Sequence, residues 1–129
     1  MDDREYRKEH RKQRRAEHFP PDAACIVCGE SDLCCLERHH VAGVGFGDDQ
    51  VVVCRNCHRK LSDKQKDHPR LLAKAPTRTE CEGRKLLGIA DIMELLRNPP
   101  ELVELVRKTG LDLIERGQLF NHSDDGQQP

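Results

Sequence analysis

The chain has 129 residues, of which 36% are hydrophobic, 35% charged and 3% aromatic, with no Trp and a formal net charge of −1. That suits one small core with appendages and excludes two full-sized domains, a large aromatic core and a membrane-spanning helix. A small, weakly hydrophobic chain needs a staple, and seven Cys and seven His offer the means.

Residues 1–21 read as a charged N-terminal arm. Glu5 and Glu9 stand at helical spacing before basic residues, which permits a helix. Without an apolar face it should fray, and Pro20-Pro21 ends it. Residues 22–68 form a Cys- and His-rich unit. In it, LCCLERHHV at 33–41 and VVV at 51–53 predict two short strands, joined by a loop containing GVGFG at 43–47. Residues 57–67 contain no Gly or Pro and predict a helix that closes before Pro69.

Residues 69–85 carry two prolines and little periodicity, and read as a linker. The segment 86–120 is expected to be helical, beginning with an apolar stripe that includes Leu86, Ile89, Ile92, Met93 and Leu96. Pro99-Pro100 breaks it and starts a second helix with Leu102, Leu105 and Val106 inward, closed by Gly110 as a C-cap. A last short helix would hold Leu111, Leu113 and Ile114, before a polar tail at 121–129. These helices are expected to pack on the Cys-rich unit, on a second copy of the chain as a homodimer, or on a partner protein.

The sharpest motif is Cys25-x2-Cys28 followed, twenty-five residues on, by Cys54-x2-Cys57. An odd cysteine count, with no apolar stretch after Met1 to act as a secretory leader, argues against disulfides and for a cytoplasmic protein. Two knuckles of this spacing supply the four thiolates of a tetrahedral structural Zn2+, and Gly29 gives the first turn its freedom. Cys34, Cys35 and Cys81 fall outside the pairs and read as small apolar residues.

His39-His40 ends the first predicted strand and His58 directly follows Cys57. A cage fixing both segments would bring these three imidazoles toward one divalent ion and one water. Neighbours on a strand face opposite ways, so His39 and His40 should have different tasks. Residues 55–85 hold ten Lys and Arg against four acids, whereas 86–129 hold four against eight. Phosphate contact is therefore expected at Arg55, Arg59, Lys60 and Lys64, around the 57–67 helix.

The run from Cys25-x2-Cys28 through LERHHV to DQVVVCRNCH resembles the HNH endonucleases, over about residues 25–68. The resemblance implies an α+β fold with a small zinc-stapled ββα-metal, treble-clef-like unit, followed here by short C-terminal helices. It also implies that His40 is the general base, that His39 and His58 bind the catalytic divalent ion (Mg2+, Mn2+, Ni2+ or Zn2+), and that nucleic acid, DNA before RNA, is the substrate. The family's Asn that orients the base corresponds to Asp49, whose carboxylate can accept the same hydrogen bond. Ser62, Asp63 and His68 are all candidates for a further ligand. The expected function is metal-dependent phosphodiester hydrolysis with no membrane association; the alternative is a non-catalytic zinc module that binds nucleic acid or a protein.

Overall fold

The computed structural model describes residues 2–123. They form a mixed α+β structure with a two-stranded sheet, four α-helices and a cluster of four cysteines. In chain order these are α1 (Asp3–His18), a 3-10 turn (Leu33–Cys35), β1 (Leu36–His40), β2 (Gln50–Cys54), α2 (Arg55–Gln65), α3 (Arg78–Leu95) and α4 (Pro100–Ser123). No helix among the described residues is long and apolar enough to cross a membrane.

The N-terminal arm is a helix of 16 residues rather than a frayed segment. Asp2 and Glu5 close a capping box at its start, satisfying backbone donors that an apolar face would otherwise have to compensate for through packing. Its end is anchored where Phe19 is buried under the Arg38 guanidinium, 5.1 Å from the ring centroid, and Arg38 also donates to the His18 carbonyl.

β1 and β2 pair antiparallel, with Leu36 opposite Cys54 and His40 opposite Gln50. β2 runs straight into α2, because Cys54 ends the strand and caps the helix: its Sγ accepts from the Cys57 N–H. The sheet, α2 and the end of α1 enclose a core in which Leu36, Val53, Leu61 and Phe19 meet three of the cysteines.

α3 begins at Arg78, inside the expected linker. Thr77 caps it by accepting from the Glu80 N–H at 3.1 Å. The helix was hidden because its first two turns bury Glu80, Gly83 and Arg84 instead of apolar side chains. α4 is likewise one helix from Pro100 to Ser123, not two, and it extends three residues into the expected polar tail; residues 124–129 lie outside the described residues. Gly110 is no C-cap. It lies inside the helix, where a Cβ would come 2.8 Å from the Gly83 carbonyl oxygen.

α3 and α4 are antiparallel, with Gly117 beside Thr77 and Glu80, Gly110 beside Gly83, and Arg107 beside Asp91. The buried stripe of α4 is Val103, Gly110, Ile114 and Gly117. Leu96, Leu102 and Leu105, expected inward, are instead 43, 44 and 62% exposed. Apolar periodicity misplaced that face because glycine and buried charge form it.

The helical hairpin docks on the sheet unit at Gly88, whose missing Cβ would fall 1.7 Å from the Val41 carbonyl oxygen at the end of β1. Two polar contacts reinforce the joint, a hydrogen bond between His68 Nε2 and an Asp91 carboxylate oxygen at 2.7 Å and an ion pair from Lys64 to Glu94 at 2.8 Å. Arg107 of α4 reaches the same two carboxylates, at 3.4 and 2.6 Å. The buried Glu80–Arg84 pair sets the guanidinium 4.2 Å from the Phe46 ring centroid, pinning the glycine loop between the strands to α3.

Candidate metal centre and histidine cluster

The four cysteines come together from two local turns. In the first, the Cys28 N–H points at the Cys25 Sγ at 3.5 Å and the Gly29 N–H bonds the Cys25 carbonyl at 2.9 Å. Gly29 holds φ +82°, a left-handed conformation that suits glycine. The second turn is the start of α2, with the Cys57 N–H 3.4 Å from the Cys54 Sγ. A bond from the Ile26 N–H to the Val52 carbonyl, 3.0 Å, ties the first turn to β2.

All four Sγ atoms lie within 4.8 Å of one another. The Cys28–Cys54 pair is 3.6 Å apart, far too long for a disulfide. It is close to the roughly 3.8 Å edge that Zn–S bonds of about 2.3 Å give a tetrahedron. Cys25, Cys54 and Cys57 are buried and Cys28 is exposed. Burial raises the Cys25 thiol, but backbone N–H groups of Cys28, Cys54 and Val27 outweigh it and bring it down to about 7. Burial and the neighbouring thiols push Cys57 up. The cluster can hold a metal ion such as zinc. Of the other cysteines, Cys34 is exposed and Cys35 and Cys81 are half-buried.

β1 carries the histidines to the open end of the sheet. Strand alternation turns His39 inward, where it is 2% exposed, and leaves His40 half-exposed. The His39 and His58 rings meet edge to face with centroids 5.2 Å apart. Burial first, then the neighbouring His58 and His40, lower His39 to about 4, so it is neutral at pH 7, the form that binds metal. His58 Nδ1 lies 2.8 Å from a Glu37 carboxylate oxygen, and the other Glu37 oxygen lies 3.4 Å from Arg55 Nε. Gln65, the last residue of α2, donates to the His40 carbonyl at 3.0 Å and stands 3.4 Å from His39 Nε2.

Asp49 does not take the place expected of it. Its carboxylate pairs with Lys85 of α3 at 2.9 Å, both side chains being well exposed, while its carbonyl accepts from the Val41 N–H. The group at the His40 ring is Gln50, its cross-strand partner, with the amide nitrogen 3.1 Å from Nε2. Antiparallel register makes that contact, and only the length of the intervening loop could have pointed to it. Among the candidates for a further ligand, His68 is committed to Asp91 and Asp63 to Lys66 at 3.1 Å, whereas half-buried Ser62 lies one turn beyond His58 on α2. Glu37 and Gln65 are the neighbours that sequence reasoning missed.

The basic residues divide. Arg59 and Lys60 are exposed, Arg55 is exposed but paired with Glu37, and Lys64 is half-buried against Glu94. Lys64 therefore serves the joint with α3 rather than a phosphate. No protein-family model, curated protein or solved structure matches this chain.

Proposed function

We propose that residues 22–68 are a zinc-stapled ββα-metal unit of the HNH type and that the protein hydrolyses phosphodiester bonds of nucleic acid, DNA first. The observation that carries this reading is the meeting of His39 and His58, rings 5.2 Å apart, with half-exposed His40 next to His39 on β1 and His58 next to Cys57 of the four-thiol cluster on α2. A Zn2+ on Cys25, Cys28, Cys54 and Cys57 would lock the 25–29 turn to the junction of β2 and α2, which fixes His58 directly and His39 and His40 through the pairing of β1 with β2. His39 and His58 suit a divalent ion such as Mg2+, Mn2+, Ni2+ or Zn2+, which would supply positive charge for the transferring phosphoryl group and the leaving oxygen.

The chain's own groups do the rest. His40 accepts the proton of a water whose oxygen attacks phosphorus, and the bond from phosphorus to the 3′ oxygen breaks as the new bond forms. Glu37 orients His58, and Arg59 and Lys60 hold neighbouring phosphates without reading bases. The Gln50 amide, a donor toward His40 Nε2 here, has to turn aside or present its oxygen for that nitrogen to take the proton. Plasmid nicking across the four metals tests this. The parent should nick with at least one of them, and His40→Ala should lose about 10²–10⁴ in rate while keeping its zinc and its affinity for DNA. A parent that binds DNA yet never nicks it, or RNA, overturns the catalytic reading.

A second reading, a non-catalytic zinc module that binds nucleic acid or protein, has its own observation in favour: the Asp49 carboxylate is spent on Lys85 and is not at the His40 ring. That module would shift DNA, or capture a protein, with no cleavage under any metal.

A further inference from the structure

α1 packs almost nothing, yet its sequence is sorted. At 100° per residue, Arg4, Arg7, Lys8, Arg11, Lys12 and Arg14 fall within an arc of about 160°. Asp3, Glu5, Glu9 and Glu17 occupy the remainder. All of these side chains are exposed.

This sorting works against the helix itself. An exposed helix gains most from opposite charges four residues apart, and like charges at that spacing destabilise it. Here Arg4–Lys8, Arg7–Arg11, Lys8–Lys12 and Glu5–Glu9 are like pairs, against the single opposite pair Asp3–Arg7 at that spacing. Among the described residues the ion pairs run from Glu37 onward, so none holds down a basic side chain of α1. A row of uncompensated cations on a preformed rod is complementary to a row of regularly spaced anions.

We infer that the basic face of α1 is a docking surface for the phosphate backbone of nucleic acid, which deepens the nuclease reading above and rests on it for the choice of polyanion. From Arg4 to Arg14 the face is about 15 Å long, the axial span of about four phosphates on one duplex strand. Its end is fixed to the site: Arg38, which holds the His18 carbonyl and covers Phe19, lies on β1 immediately before His39. A membrane surface is the poorer fit, since interfacial helices need an apolar face to bury and Tyr6 is the one large apolar side chain of α1.

The test is the salt dependence of duplex binding, measured by fluorescence anisotropy on the zinc-loaded chain without added divalent metal. Arg7→Gln/Lys8→Gln/Arg11→Gln keeps good helix formers and should lower the slope of log affinity against log salt by about 2 to 3. It should also weaken binding about tenfold or more near physiological salt. Lys74→Gln/Lys108→Gln/Arg116→Gln, which removes the same charge from exposed positions elsewhere, should leave the slope within error of the parent's.

Equal losses in both variants would reduce the effect to net charge and overturn the assignment; so would no loss in the first, or a parent that binds phosphatidylserine vesicles and not DNA. Cleavage is scored separately on the same proteins. A parent that binds through α1 but never nicks ends the nuclease reading and leaves this one standing. A parent that nicks while the α1 variant binds normally ends only this one.

Discussion

The two halves of the molecule are held together by different means. Between Cys25 and Gln65 the chain is organised by close sequence spacing: two four-residue turns gather thiols, and the second is also the start of a helix. Between Arg78 and Ser123 it is organised by absence of side chain. Gly83, Gly110 and Gly117 let two helices approach until backbone meets backbone, while the buried Glu80–Arg84 pair runs from beside Gly117 to the Phe46 ring of the inter-strand loop. One half gathers four thiols that can hold a metal ion beside a small core; the other relies on close packing along two long helices. The lesson is that a chain poor in large apolar residues can bring distant segments together through clustered thiols or through bare backbone, and this one has both arrangements, joined at Gly88.

Removing metal should break the contrast most sharply. Structural zinc contributes about 10–16 kcal/mol in small metal-dependent units. The chain purified without added zinc should carry one equivalent, and chelation should abolish amide protection over β1, β2 and α2 while α3 and α4 keep a measurable share of theirs. Recovery of far less than one equivalent by metal analysis would end the zinc reading.

Gly88→Ala attacks the joint. A Cβ 1.7 Å from the Val41 carbonyl must push α3 off β1, costing about 3 kcal/mol. Thermal melting should fall accordingly while zinc content stays at the parent's level. If Gly88→Ala also releases the metal, the two halves do not hold their structure independently.

A smaller, stabilising effect is expected where α3 ends. Arg97 has φ +60°, and the Asn98 N–H returns to the Met93 carbonyl at 3.0 Å, a left-handed helix end that favours glycine. Arg97→Gly should gain up to about 1 kcal/mol by relieving that conformation, seen as a melting point higher by about 3–5 °C. A lower melting point would show that the Arg97 side chain contributes more than its backbone strain removes.

The smallest effect is expected at Asp49. Its pair with Lys85 is solvent-exposed on both sides, so Asp49→Asn should change stability by less than about 1 kcal/mol. If cleavage occurs, its rate should hardly move, because Gln50 is the residue at the His40 ring. A loss of tenfold or more in the nicking rate would mean that Asp49 reaches the reacting groups after all.

What could be read in advance follows the distance over which each feature is decided. The cysteine knuckles, the strand pair, α2 and the break at Pro99-Pro100 were all legible, because spacings of two to four residues and the geometry of proline fix them. Thr77 with Glu80 was a readable helix start, overlooked because the turn it opens buries charge. The remaining features depended on partners far along the chain. Asp49 faces Lys85, His68 faces Asp91 and Gly110 faces Gly83, pairs separated by more than twenty residues. Sequence alone determined which residue types could bind metal and phosphate and which short segments would present them. Tertiary structure decided which polar group met which, because a glycine contact or a buried ion pair has no periodic signature and exists only once two remote segments have packed.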